Sequence, residues 1–287
     1  MNRLGNPIAV STYSFWQFRR EEYRDVHRCI ELAAASGFDG VELLHRQLES
    51  EDRSVLQRIK RHAFTLGLPL CGLSIHQGFV SPDPEVRRQN VEHTRRCIEL
   101  AYSLGIPTVR VNTGRWGTIP DFDALMANRG IEPILPGCTE DDGFAWVEDS
   151  LAELLPFAEQ CGVVLGMENH WGLARTADGL LRIVQSMNSP WVGVTMDTGN
   201  FLEDTMVQLE QIAPHTTFVQ AKTYFGGGIW YSLDLDYDEI ASLWARHGYQ
   251  GWISLEYEGT EDPGTAIPRS LEWIRGALGR QARSVST

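Results

Sequence analysis

The sequence of 287 residues contains no run of 18 apolar residues and no GxGxxG turn. The first absence leaves no candidate for a membrane-spanning helix. The second removes the phosphate-binding signature with which a doubly wound open sheet normally leaves its first strand. Cysteine is sparse. Cys29, Cys71, Cys97, Cys138 and Cys161 make an odd set with no CxxC or zinc-ribbon spacing, which points to reduced thiols in or near a core and to a cytoplasmic protein. Positive charge is scarce too, with 25 Lys+Arg against 38 Asp+Glu and a formal net charge of -13. A nucleic-acid binder normally carries a basic face, so neither nucleic acid nor a membrane surface is the expected partner. The opening MNRLGNPIAVSTYSF lacks the apolar stretch and cleavage site of a signal peptide.

What the chain does have is alternation. Short apolar runs at Ile8–Ser14, Phe38–Leu44, Pro69–Ile75, Thr108–Asn112, Val163–Glu168, Trp191–Asp197, His215–Lys222 and Gly251–Tyr257 read as strands. Amphipathic stretches of helical spacing follow each of them, and Gly37, Gly67, Gly105, Gly162 and Gly248 stand where helices should stop. Eight strand-helix units in a chain of this length predict one (β/α)8 barrel domain over residues 1–287, with the barrel at about 8–277. The polar tail 278–287 is expected to be disordered. The connection at about 113–143 is too long to be idle and reads as a candidate lid.

In such a barrel the chemistry lies at the C-terminal strand ends. His45, His76 and Asn112 follow strands two, three and four; Glu168-Asn169-His170-Trp171 closes strand five and Asp197 strand six. Gln220 and Lys222 lie on strand seven, and Glu256-Tyr257-Glu258 closes strand eight. Glu168, Asp197 and Glu256 each end an apolar run, where an unpaired charge is costly. Two neutralisers are open: a shared divalent cation, or pairing with Arg110 and Lys222. His45, His76 and His170 at the rim are candidates for binding substrate, whereas His27, His62, His93 and His247 fall within helices and His215 begins a strand at the opposite, stability face. Phe15, Trp16, Trp116, Trp171 and Trp230 cluster at the same rim, where aromatic faces can pack on sugar C–H groups. The Gly226-Gly227-Gly228 run after strand seven suits either a phosphate cradle or a hinge.

FDGVEL, VVLGMENHWG, VGVTMDTGNF, FVQAKTYF and WISLEYEG together resemble the xylose isomerase-like TIM-barrel family over roughly residues 8–275. That family includes sugar-phosphate isomerases and epimerases, D-tagatose 3-epimerase, inosose dehydratase and, more distantly, endonuclease IV. The resemblance implies one divalent metal held by Glu168, Asp197, Gln220 and Glu256. Gln220 replaces the usual His, making an all-oxygen site that favours Mn or Mg, with Co or Zn as further options. It also implies that Glu168 and Glu256 act as acid and base on a sugar, keto-sugar or cyclitol. His45, His76, Asn112, His170, Trp171, Asn200, Lys222 and Trp16 are the residues expected to bind substrate, Asn200 standing where the family commonly has a His. Epimerisation, isomerisation and dehydration all remain open, as does a barrel that only binds carbohydrate. A homodimer or homotetramer is the assembly open to such a chain.

Overall fold

A computed structural model describes residues 5–285. Eight parallel strands close a barrel in sequence order: β1 (Ile8–Ser11), β2 (Gly40–Leu44), β3 (Leu70–Ser74), β4 (Thr108–Val111), β5 (Val164–Glu168), β6 (Val192–Asp197), β7 (Thr216–Thr223) and β8 (Ile253–Tyr257). The helices are α1 (Tyr13–Trp16), α2 (Val26–Ser36), α3 (Arg53–Thr65), α4 (Pro84–Leu104), α5 (Phe122–Ala127), α6 (Glu140–Cys161), α7 (Ala177–Met187), α8 (Thr205–Ile212), α9 (Tyr237–Arg246) and α10 (Pro263–Val285). Among the described residues no helix is long and apolar enough to cross a membrane.

Most expected boundaries hold to within a few residues, and the differences have local causes. Strand one stops at Ser11 because Thr12 accepts the first N–H groups of a short helical turn, α1, whose four residues are all buried. The segment 278–285, expected to be a disordered tail, continues α10 to Val285. There Arg280 pairs with Asp238 of α9 at 2.8 Å, and Gln281 accepts a bond from Ser242. Residues 286–287 of that tail lie outside the described residues. Helix α6 begins at Glu140, where Thr139 and Asp142 form a reciprocal capping box.

The chain divides into two compact units, one made of the residues up to Leu73 with those from Phe218 onward, the other of Ser74–Thr217. In the first unit, two-residue steps along β7 carry Phe218, Gln220 and Lys222, and steps along β8, starting from the residue before it, carry Trp252, Ser254 and Glu256. Gln220 is level with Ser254, and Lys222 with Glu256. The lowest step is apolar, with Ala9, Cys71 and Phe218 packed together and Trp252 against them. The middle step is polar and the uppermost is charged. On the outer face of this unit α9 packs on α10.

In the second unit α4 packs on α6, and α7 lies against both α6 and α8. Its long connection after β4, expected to be a lid, is a folded segment with its own anchors. The Glu132 carboxylate is buried, accepts N–H bonds from Gly117 (3.1 Å) and Ile119 (3.4 Å), and faces Arg115 at 3.7 Å. Glu203 takes Arg129 at 2.9 Å and Arg175 at 3.1 Å, one on each oxygen. The turn at Gly130 needs a glycine for two reasons: its φ is +72°, and a Cβ there would lie 2.3 Å from the ring of Trp171. Gly130→Ala is therefore expected to cost about 1–3 kcal/mol by overpacking. That should appear as a fall of several degrees in the thermal midpoint; an unchanged midpoint would mean that the loop does not rest on Trp171.

Candidate active site

In the first unit, the charged step holds Lys222, Glu256, Glu258 and Tyr13, all buried. The Lys222 ammonium lies 3.4 Å from Glu256 and 3.1 Å from Glu258. The Tyr13 hydroxyl donates to Glu258 at 3.2 Å. One ammonium thus serves two carboxylates. Burial pushes the Glu258 carboxyl above the usual carboxylate range; Lys222 opposes this and the Glu256 charge adds to it. Burial, with the nearby Glu258 and Glu256 charges, holds the Tyr13 hydroxyl well above its ordinary value.

The middle step centres on Glu42 of β2, which has no exposed surface. Its two oxygens accept from different side chains, Gln220 Nε2 at 2.8 Å and Ser254 Oγ at 2.6 Å. Gly72 leaves room for this arrangement, since a Cβ there would come within 3.2 Å of the Glu42 side chain.

In the second unit, Glu168 closes β5 and Asp197 closes β6, both buried. Arg110 on β4 is level with Gly166, and its guanidinium lies 3.4 Å from Glu168. The same guanidinium donates to the carbonyl of Ile75 at 2.7 Å. Asn200 donates to Glu168 at 3.2 Å. Asp197 accepts the N–H of Gly199 at 2.7 Å. Asn169 clamps the end of β6 reciprocally: its amide donates to the Asp197 carbonyl at 2.8 Å and its oxygen accepts the Asp197 N–H at 2.7 Å.

The other expected substrate residues have varied surroundings. His45 bonds Glu51 at 2.8 Å. Asn112 accepts the Gly114 N–H on its side chain, while its carbonyl takes a bond from Gln77. Trp171 is buried beneath Gly130, with His170 beside it at 5.7 Å between ring centroids. His76 is half-buried. Trp16 is buried against Tyr13 and Leu44, with Arg24 over its ring and Phe18 edge-on to it. The Gly226-Gly227-Gly228 run is a turn whose amides bind within the chain: Gly227 donates to Tyr224, Gly228 to Ser232, and the next amide, Ile229, to Glu258. The amides of Gly227, Gly228 and Ile229, which a phosphate cradle would use, are thus committed within the chain.

Sequence reasoning missed Glu42 and Tyr13, placed Asn169 and Glu258 at strand ends without giving them a role, and treated Arg110 only as a possible counter-charge. Glu42 left one signal, an isolated charge between apolar neighbours in FDGVELL. It lies mid-strand, and attention to strand ends passes over it.

The family description "xylose isomerase-like TIM barrel" matches residues 30–277. The chain belongs to the xylose isomerase-like TIM-barrel family. Curated relatives of this family member include the L-ribulose-5-phosphate 3-epimerase of Shigella flexneri serotype 5b (strain 8401), 23% identical over 276 residues, covering 88% of this chain and 89% of the relative. Among solved structures, a 3-keto-D-glucoside 4-epimerase from E. coli has a TM-score of 0.74 at 18% identity and covers 94% of this chain and 99% of its own. A D-psicose 3-epimerase has a TM-score of 0.72 at 19% identity, with 95% and 99% covered. This xylose isomerase-like barrel therefore has sugar epimerases as relatives, and its likeness to the solved structures is one of fold.

Proposed function

We propose that the protein is a metal-dependent isomerase or epimerase of a sugar, keto-sugar or cyclitol, working through an enediolate with Glu168 and Glu256 as acid and base. The observation that carries this reading is the set of buried carboxylates at the C-terminal strand ends of a barrel whose relatives are named as sugar epimerases.

The donor set fits a hard cation. Glu168, Asp197, Gln220 and Glu256 offer only oxygen and are all buried. Lys222 is shared by two carboxylates, and Arg110 meets Glu168 at a distance longer than a good hydrogen bond. Oxygen ligands of this kind suit Mn or Mg. Such a metal, when bound, would polarise the substrate carbonyl and acidify the neighbouring C–H.

The chain's own groups supply the rest. One glutamate removes the proton from the carbon beside the carbonyl. The other returns a proton to the same carbon for epimerisation, or to the neighbouring carbon for isomerisation. Asn200 holds the Glu168 carboxylate in one orientation through its amide N–H. Lys222 holds the Glu256 carboxylate through its ammonium. Loss of a β-hydroxyl from the same enediolate would make the enzyme a dehydratase.

The test is solvent isotope incorporation. The chelated and remetallated protein, incubated in deuterated water with ketopentoses, ketohexoses, inososes and 3-keto-glycosides, is expected to place deuterium on carbon in at least one of them. Turnover of a true substrate with no deuterium entering carbon would overturn the proton-transfer mechanism. A second reading, a metal-free barrel that only binds carbohydrate, is favoured by one observation: Arg110 and Lys222 already accompany Glu168 and Glu256. Metal analysis of the purified protein separates the two.

A further inference from the structure

We infer that Glu42 is the residue that makes Gln220 a metal ligand, by fixing which atom of the Gln220 amide is turned away from β2. This rests on the proposed metal reading and deepens it.

The argument is one of hydrogen-bond chemistry. A glutamine side chain ends in two groups of nearly equal size and opposite function, a carbonyl that accepts and an NH2 that donates. Left alone, the amide can turn over, and a cation would then meet N–H protons in half of the orientations. A carboxylate beside it removes that freedom, because an ionised carboxylate only accepts. Glu42 takes Gln220 Nε2 at 2.8 Å. Both amide atoms branch from one planar carbon, so anchoring the nitrogen on Glu42 turns the oxygen away from it.

Glu42 is itself held in place. Ser254 donates to its second oxygen at 2.6 Å, so the carboxylate cannot rotate without losing one of two bonds. Gln220 and Ser254 are level with each other on adjacent strands, which brings both donors to the same carboxyl group. The group has no exposed surface, so no bulk water competes for its lone pairs. Metal-binding histidines are oriented by the same device, a carboxylate on the far ring nitrogen. Here the carboxylate orients an amide. Glu42 is thus a positioning residue, acting on the metal only through Gln220.

The experiment is a calorimetric Mn titration of the full chain after chelation, with Glu42→Leu, Glu42→Gln, Gln220→Leu and the Glu42→Leu/Gln220→Leu double variant. Leu keeps most of the volume of Glu but accepts nothing. Glu42→Leu is expected to weaken Mn binding by about 10–100-fold, the usual effect of removing such an outer partner. Glu42→Gln should stay close to the unsubstituted chain, because the Ser254 hydroxyl can turn to accept from the new NH2 and leave the new oxygen for Gln220. The double variant should bind no more weakly than Gln220→Leu alone. Unchanged affinity in Glu42→Leu, or losses that add in the double variant, would overturn the inference while leaving the metal centre intact. No Mn binding by the unsubstituted chain would overturn the metal reading and this inference with it. Should Glu42→Leu fail to fold, the unsubstituted protein provides a second measurement: the Gln220 side-chain N–H signals, identified by their loss in Gln220→Leu, should exchange slowly with solvent. Fast exchange would mean that the amide is not locked on Glu42.

Discussion

Glu168→Gln and Glu256→Gln are each expected to lower turnover by at least about 10²-fold, the usual contribution of a positioned general base. Gln keeps an oxygen for a metal and the outline of the side chain, but it cannot take a proton. The two variants should part company in stability. Glu256→Gln leaves Lys222 paired with Glu258, which lies closer to it than Glu256 does. Glu168→Gln leaves the buried Arg110 guanidinium facing a neutral amide, and the loss of a buried partner charge is strongly destabilising. The thermal midpoint should therefore fall further in Glu168→Gln, while both lose activity. The isotope experiment separates their roles. If one glutamate serves each face of the reacting carbon, each variant retains deuterium exchange from one epimer and loses it from the other. Full activity in both variants would sink the two-glutamate mechanism.

Replacing Glu168 and Asp197 together with Ala is expected to abolish binding of the roughly one Mn that the remetallated chain should hold, because two of the proposed oxygen donors disappear. Two effects have to be kept apart here. Removing Asp197 also removes the acceptor of the Gly199 N–H, and removing Glu168 strips Arg110 of its carboxylate. Misfolding could therefore imitate loss of a ligand. The isosteric pair Glu168→Gln with Asp197→Asn keeps both shapes and an oxygen at each place, and should bind Mn measurably but weakly. Graded loss across Ala, amide and carboxylate, at matched circular dichroism, is the signature of direct ligation. Unchanged Mn affinity in the double Ala variant would remove both residues from the metal site.

Much of this was legible in the sequence because parallel strands buried on both faces read as apolar runs, and because glycines punctuate the helix ends. Helix α4 runs from Pro84 to Leu104 and stops at Gly105, as the glycine punctuation implies, with Asp83 and Pro84 marking its start chemically. The strand-end carboxylates were visible for a similar reason: a charge directly after an apolar run is conspicuous. The partnerships were not. Nothing in the spacing joins Arg110 to Glu168 across 58 positions, or Glu42 to Gln220 across 178. These pairs depend on strand register, and the second also on Gly72, which makes room for the Glu42 side chain. The end of α10 was misjudged because its last turns are polar on composition, and composition does not register contacts with α9 such as Arg280 to Asp238.

The graded interior of the first unit has an evolutionary consequence. Along β7 and β8 each two-residue step changes the job a side chain performs: apolar contact first, a neutral or singly charged hydrogen-bond hub next, paired charges last. Mutations therefore fall into separable classes. Those at the lowest step are tested by whether the chain folds, and those at the uppermost, under the proposed function, by which molecule it acts on. That separation suits a fold that is kept, with a TM-score of 0.74, in a chain only 18% identical to this one. The hub between the two layers, where Glu42 serves Ser254 on one side and Gln220 on the other, is the place where the classes meet. A change there must satisfy fold and reactivity at once, so variation at residue 42 should be the slowest to be accepted.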